Sequence, residues 1–288
     1  MRIGIGLPNT IPGVNGRLLV DWAKAAEAAD FSTLSTIGRV VFPTHDELIA
    51  LTAAAAVTDK IALFTNVLIS PLFDPVVLAR QTASLDQISN GRFTLGLGVG
   101  WRPTDFEVVG REYHTRGKRM DADVETMLKV WAGEKVNGAD KVIAPRPTNG
   151  TVPLAFGGNV PAAFERVAKH GVGYTAGGAT PEQMAGFVAS TNEAWTAAGR
   201  AGTPKFWALA YYGIGADAEA IAAEYLTDYY GDWGGGMAAG MPKNGDAIQG
   251  AVAAFKAAGV DELIFVPTKG DLGQVDALVE ALGGSTSF

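Results

Sequence analysis

The feature that most constrains this chain is an alternation. Apolar, strand-like runs of five to eight residues are followed repeatedly by segments with helical spacing. The strand-like runs are Arg2–Leu7, Phe31–Ile37, Ile61–Val67, Arg92–Leu97, Val152–Phe156, Val172–Ala176, Lys205–Tyr212 and Glu262–Val266. Helices are predicted over Leu18–Asp30, from Thr44 to about Thr58, from Pro75 to about Ile88, and over most of 103–132 with a break near Thr115–Gly117. In the second half they cover Pro161–His170, Thr180 to about Ala198, Asp217 to about Tyr230, Asp246–Ala258 and Gly273–Leu282. Several starts carry chemical signals. Thr44-His45-Asp46-Glu47 and Thr180-Pro181-Glu182-Gln183 read as capping boxes, in which the hydroxyl accepts a backbone N–H and the Glu or Gln reaches back. Asp74 precedes a proline at the first helical position, and Asp217 reads as a further N-cap. An insertion through Pro145, Pro147 and Asn149-Gly150, and a glycine-rich loop Gly231–Gly245, read as irregular.

Parallel strands need a crossover, and a helix is the usual one. Eight strand–helix units suit a closed (β/α)8, or TIM, barrel of the α/β class with insertions better than an open doubly wound sheet. The length of 288 residues fits a barrel that needs about 250. We therefore expect one barrel domain over residues 1–288, without a linker. A hydrophobic fraction of 48% against 18% charged residues supplies the large core this requires.

Composition removes several function classes. The net charge is -7 and no basic run occurs, so nucleic acid is not an expected partner. Cysteine is absent, which excludes disulfides, thiol nucleophiles and thiolate metal sites. Met1–Asn9 runs straight into a strand, and no apolar stretch approaches the roughly 20 residues of a membrane helix. A cytoplasmic protein without signal peptide or membrane span is expected. His45, His114 and His170 are too scattered for a metal motif, and His45 and His170 read as surface or capping residues. Strand ends show no paired carboxylates, and the nearest lysine is Lys269, so glycosidase and Schiff-base chemistry fit poorly.

In such barrels the functional face is the C-terminal rim of the strands. There stand Leu7-Pro8-Asn9, Ile37-Gly38-Arg39, Asn66-Val67 with Ser70-Pro71, Gly98 to Arg102, Gly157-Gly158-Asn159, Gly177-Gly178 and Tyr211-Tyr212. Each Gly-Gly pair leads into a helix N-terminus, where free N–H groups favour an anion. One such pair alone makes only a tight turn; two adjacent pairs of the same design point to phosphate. Gly96–Gly100 does not complete a dinucleotide fingerprint, because Trp101 stands where the third glycine belongs and the strand is the fourth. A rim of glycines, aromatics, amides and an arginine suits an enzyme whose cofactor carries the chemistry. His114 lies in the basic, aromatic stretch Arg111–Arg119, which is either a solvated loop or a receiver for an anionic substrate or cofactor tail.

Five stretches together resemble the bacterial luciferase-like superfamily of flavin-dependent monooxygenases and deazaflavin-dependent oxidoreductases. They are Ile3–Pro8, Ala53–Ile61, Pro75–Gln81, Leu85–Phe93 and Leu95–Trp101. The resemblance implies a luciferase-like barrel binding reduced FMN, supplied by a separate flavin reductase, and using oxygen on a small organic substrate. The alternative it leaves open is an F420-type 8-hydroxy-5-deazaflavin and hydride transfer without oxygen. It implies cofactor contacts at Leu7, Asn66, Val67, Gly98, Trp101, Gly157, Gly158, Asn159, Gly177 and Gly178. A non-prolyl cis peptide is implied at Asn66-Val67, and a phosphate loop at Ala155–Asn159.

One departure stands out. Gly38 and Arg39 occupy positions where the family often carries an acid–histidine or histidine pair. Arginine stays charged and only donates hydrogen bonds. Arg39 is therefore a candidate catalytic residue acting electrostatically, unless it merely pairs with a carboxylate; His114 is a second candidate. A non-catalytic flavin-binding protein, and an unrelated barrel aldolase or isomerase for phosphorylated substrates, remain alternatives. The family also implies a homodimer, with Ala50, Ala53, Ala54 and Val57 and the helix from Pro75 as its face, although the same alanines suit packing on the barrel. The loops Gly38–Pro43, Trp101–Arg119 and Gly231–Lys243 would line the substrate pocket, the last with Trp233, Met237 and Met241 as either a lid or an irregular insertion.

Overall fold

Parallel pairing runs unbroken around the sheet. In the computed structural model, which describes residues 1–288, the strands are β1 (Arg2–Gly6), β2 (Thr33–Thr36), β3 (Ala62–Thr65), β4 (Leu68–Ile69) and β5 (Phe93–Gly98). They continue as β6 (Leu154–Gly157), β7 (Gly173–Gly177), β8 (Lys205–Tyr212) and β9 (Glu262–Pro267). Sequence neighbours pair in parallel, β9 returns to β1, and both β3 and β4 pair with β5, which closes the barrel. The expected third strand is thus one stave in two pieces, interrupted at Asn66-Val67, whose peptide bond is cis.

Strand side chains alternate between two cores, as a period of two requires. Ile3, Ile5, Leu34, Leu63, Leu95, Leu97 and Phe156 join Trp22, Leu51, Leu78 and Met127 from surrounding helices in the larger core. Phe64, Ala155, Trp207, Leu209, Ile264 and Val266 form the barrel interior. There the rings of Phe64 and Trp207 lie 5.1 Å apart. Glycines make room for them. A Cβ on Gly96 would lie 2.7 Å from Phe64 Cε2 and collide with the Thr65 carbonyl oxygen. One on Gly173 would lie 2.6 Å from Trp207 Cζ3 and collide with the Lys205 carbonyl oxygen. Below the rings, fully buried Glu262 accepts from Lys205 Nζ at 2.5 Å, Trp207 Nε1 at 3.1 Å and the hydroxyls of Ser32 and Thr33.

The outer layer contains α1 (Gly16–Ala28), α2 (Glu47–Ala55), α3 (Pro75–Ile88), α4 (Pro103–Val108), α5 (Arg116–Ala132), α6 (Pro161–His170) and α7 (Pro181–Ala197). After β8 the chain forms α8 (Ala218–Tyr230) and α9 (Gly234–Gly240) before α10 (Gly245–Ala257), then α11 (Gly273–Ala281) after β9. It is α10 that packs on α7 and α11 and completes the ring. Helix α8 instead turns its tyrosines toward the barrel interior cluster. No helix is long and apolar enough to cross a membrane.

Three local expectations are corrected. The cap of α2 is Asp46, whose carboxylate accepts from Ile49 N–H at 2.9 Å; Thr44 stays in the loop and no capping box forms there. Asp217 precedes α8 but its side chain caps nothing, because Lys269 holds it at 2.8 Å. The supposed irregular loop Gly231–Gly245 contains a 3-10 turn at Gly231–Trp233 and then α9. Packing of Ala238 and Met241 on the tyrosine cluster overrides the low helix propensity of glycine. The capping box at Thr180 forms in full, and Asp74 caps α3 as expected.

Candidate functional site

The strand ends bring four of the expected residues onto one patch. Thr65 Oγ1 is bonded to both the N–H and the carbonyl of Gly96 at 2.9 Å, fixing β3 against β5. Just beyond, Asn66 Oδ1 accepts from Thr175 Oγ1 at 2.7 Å, while Asn66 Nδ2 is buried with no partner. Val67 lies over two bare glycines: a Cβ on Gly98 would come within 2.5 Å of Val67 Cγ2, and one on Gly157 within 3.5 Å of Val67 Cγ1. The patch therefore presents the Val67 side chain seated on two glycine strand ends and carries an unsatisfied amide donor. Leaving that donor buried and unpaired costs about 1–3 kcal/mol, which a ligand acceptor would recover. Leu7 lies elsewhere; it is 1% exposed and packs in the helix-side core. Asn9 takes its place near the rim, with Nδ2 donating to the Ile37 carbonyl at 2.7 Å and Oδ1 buried and unpaired.

The two Gly-Gly turns are not equivalent. At α7 the capping box takes two donors, since Thr180 N–H goes to Gln183 Oε1 and Gln183 N–H to Thr180 Oγ1, which leaves the N–H groups of Gly178 and Ala179 free. At α6 no side chain caps the helix, and the N–H groups of Gly158, Asn159 and Val160 have no acceptor in the chain. Gly158 has φ of 135°, open to glycine alone, and Tyr174 Oη fixes its carbonyl at 2.8 Å. The first turn is the better anion cradle. Gly177 and Gly178 remain exposed, with Met237 of α9 close to Gly178.

A cap crosses the mouth. Tyr225 Oη bonds Thr10 Oγ1 at 2.7 Å, beyond β1, and Tyr211 Oη bonds Tyr230 Oη at 2.8 Å. Arg39, beyond β2, and Arg102, beyond β5, both donate to the Tyr229 carbonyl, at 2.9 and 2.8 Å. Trp233 stacks on Trp101 with ring centroids 5.8 Å apart. Arg39 does not pair with a carboxylate; its partner is a main-chain carbonyl. Burial, with neighbouring tyrosines, pushes the Tyr211 hydroxyl well above its usual range, and burial likewise raises Tyr230 despite its bond to Tyr211. Both hydroxyls stay protonated at neutral pH. His114 is exposed, its ring edge-on to Tyr113, and it is Tyr113 Oη that ties this loop to the Trp101 carbonyl at 3.0 Å.

The space vacated at Gly38 is taken by Glu47. A Cβ at position 38 would collide with its carboxyl, which lines a cavity of about 260 Å³ with Arg39, Phe42, Ile69 and Phe73. Burial chiefly, and then the negative charges of Asp46 and Asp105, push this carboxyl up to about 7, against a partial offset from its own backbone N–H. Ionisation is thus harder in the folded chain than in the unfolded one. The stability Glu47 contributes is complete below its ordinary value near 4.5 and is lost as pH rises through about 7. Glu47→Gln is expected to melt like the parent at pH 4.5 and higher at pH 8, by at most about 3 kcal/mol. Identical melting shifts at the two pH values would contradict this. Sequence reading missed Glu47 because it was assigned to a capping box, and missed Arg102 and the Tyr229-Tyr230 pair because their partners lie far away in the chain. The bare glycine beside Arg39 was the available signal for Glu47.

The model of the luciferase-like monooxygenase family matches residues 1–282. The chain belongs to that family. This family member is 29% identical over 207 residues to an uncharacterised protein of Mycobacterium tuberculosis strain H37Rv, covering 62% of this chain and 71% of that one. Its fold is similar to an F420-dependent secondary alcohol dehydrogenase in complex with an F420-acetone adduct, with a TM-score of 0.80, 16% identity and 98% of each chain covered. It is also similar to the oxygenating constituent of 3,6-diketocamphane monooxygenase from Pseudomonas putida in complex with FMN, with a TM-score of 0.77, 18% identity and coverage of 100% of this chain and 98% of that one. The luciferase-like (β/α)8 barrel and membership of an oxidoreductase family are thereby established.

Proposed function

We propose that this luciferase-like enzyme binds reduced FMN on the Asn66–Val67 patch and uses it, with oxygen, to oxidise a small organic substrate. The observation that carries the reading is the buried, unpaired Nδ2 of Asn66 beside Val67, which sits on the glycine strand ends at Gly98 and Gly157. A flat ring with acceptor edges suits that surface, and the free amides at the start of α6 suit its phosphate. When bound, the ring supplies the redox chemistry. The chain's own residues do the rest. Asn66 and Val67 orient the ring, Gly158, Asn159 and Val160 hold the phosphate, and the cap from Tyr225 to Met241 excludes water from the barrel mouth. Tyr211 and Tyr230 hold their protons on Oη; one donates to the other, which leaves the pair a single neutral O–H to offer at the mouth. Glu47, pushed up to about 7, gains and loses its proton near neutral pH, in the region where the family's histidine is missing. A separate reductase would supply the reduced cofactor.

An F420-type deazaflavin is the second reading, favoured by the fold shared with the F420-dependent dehydrogenase. Oxygen uptake separates the two. The enzyme with reduced FMN is expected to consume oxygen in step with substrate; turnover with a reduced deazaflavin under strict anaerobiosis, and none with FMN, would reverse the choice. A homodimer through α2 and α3 accompanies this reading. Ala50 and Ala54 pack inward, but Ile49 is 71% and Val77 54% exposed on these two helices. Light scattering at micromolar concentration is expected to give twice the mass of 30.0 kDa, and Ile49→Asp with Val77→Asp to give the monomer. A monomeric parent protein would refute it.

A further inference from the structure

We propose that Arg39 and Arg102 form a clamp for an oxyanion, a carboxylate or phosphate, entering at the barrel mouth. Two guanidinium groups, from the ends of β2 and β5 with one stave between them, converge on one neutral acceptor, the Tyr229 carbonyl at the end of α8. Neither forms an ion pair with a carboxylate. The Asp105 charge acts on Arg102 without touching it; one Asp105 oxygen accepts from Val41 N–H at 2.8 Å, and the other is buried and unpaired. Glu47, on the Arg39 side, adds no full counter-charge while protonated. Asp228 and Asp232 border the depression without reaching either guanidinium within 4.0 Å.

The geometry also fits a planar donor fork. The Arg102 guanidinium lies 4.2 Å from the ring centroid of Trp101 and 5.0 Å from that of Tyr229; that of Arg39 lies 5.2 Å from Phe42 and 5.7 Å from Tyr229. Stacking on aromatic faces leaves the N–H edges directed elsewhere. Each guanidinium has five N–H donors and spends one on the protein, and Arg39 Nε is buried with no partner. The groups line a depression of about 550 Å³ walled by Trp101 and Trp233. A bidentate carboxylate is a stronger partner for these forks than a single neutral carbonyl. It would replace the Tyr229 carbonyl and release the end of α8, so anion entry and cap opening are one event. The aromatic walls favour a planar anion. The clamp deepens the function proposed above and rests on it only in calling the anion's bearer a substrate.

The test uses the full chain and benzoate as probe, with benzamide as its neutral isostere, followed by calorimetric titration at low salt. Wild type is expected to bind benzoate, with benzamide at least tenfold weaker. Arg39→Gln and Arg102→Gln each are expected to lose tenfold or more in benzoate affinity, and Arg102→Lys to fall between. Thermal melts of each variant confirm that it folds. Binding of benzoate and benzamide alike, no benzoate binding by wild type, or variants that bind like wild type would overturn the clamp; the arginines would then only cap α8. Repeating the titration with saturating FMN identifies the source of the anion. Benzoate binding that persists assigns the clamp to the substrate. Displacement by FMN but not by riboflavin assigns it to the cofactor's phosphate. Benzoate binding by a protein that binds no flavin or deazaflavin would sink the proposed function and leave the clamp standing.

Discussion

Lys205→Met is expected to destabilise the barrel by about 2–4 kcal/mol at pH 7. Its partner Glu262 is fully buried at the floor of the barrel. Burial by itself would raise that carboxyl, but the Lys205 charge and the hydroxyls of Ser32 and Thr33 outweigh it and hold the group below its usual range. Removing one member of a buried pair typically costs about 3–5 kcal/mol, because the other charge remains. The lower figure applies here because the lysine side chain is 36% exposed and water can partly replace it. The sign with pH follows from the depressed carboxyl. Its stabilising contribution is present above the ordinary carboxylate value and is lost as pH falls through the lower folded value. Urea denaturation should therefore show a large gap between parent and Lys205→Met at pH 7 that narrows in acid. The double variant Lys205→Met/Glu262→Gln should recover most of the loss, since the hydroxyls and the indole can still bond an amide. A single variant within 1 kcal/mol of the parent would remove the pair from the account.

Gly96→Ala should cost about 3–5 kcal/mol, although it adds a single methyl group. The added carbon would collide with the Thr65 carbonyl oxygen, a backbone atom held in the ladder, and would lie 2.7 Å from Phe64 Cε2. Shrinking Phe64 relieves only the second contact, so Gly96→Ala/Phe64→Ala is expected to be worse, not better. Gly186→Ala is the control. That glycine lies in α7 with open space around its Cβ position, and alanine there should be neutral or stabilising by up to about 1 kcal/mol. Chemical denaturation of the three variants checks the contrast. Equal stabilities for Gly96→Ala and Gly186→Ala would mean that the barrel interior is not packed as described.

That contrast also marks what could be read from the chain alone. All eight staves were legible, because each strand reads as a short apolar run set between helical patterns. Helix starts were legible where the cap is local and unrivalled, as at Thr180 and Asp74. At Thr44 a rival two residues later prevailed: Asp46 directs its carboxylate to Ile49 N–H, and Glu47 is drawn into the gap at Gly38. Which glycines are obligatory was not legible, since Gly96 and Gly186 look alike until their neighbours are known. The two Gly-Gly turns looked alike as well, although Gln183 in the second is itself the residue that takes the Thr180 donor. The cap over the mouth was invisible for a different reason. Its defining bonds join Arg39 to Tyr229 and Thr10 to Tyr225, pairs about 200 residues apart whose meeting depends on the whole barrel.

The central claim is that the Asn66–Val67 patch holds a flavin-type ring. The direct measurement is equilibrium titration of the purified full chain with reduced FMN and with an F420-type deazaflavin, read by ring fluorescence, for the parent and for Asn66→Leu. The account predicts saturable binding of at least one cofactor by the parent and a loss of tenfold or more in Asn66→Leu, with the melting temperature maintained. No binding of either cofactor by the folded parent, or undiminished binding by Asn66→Leu, would contradict it.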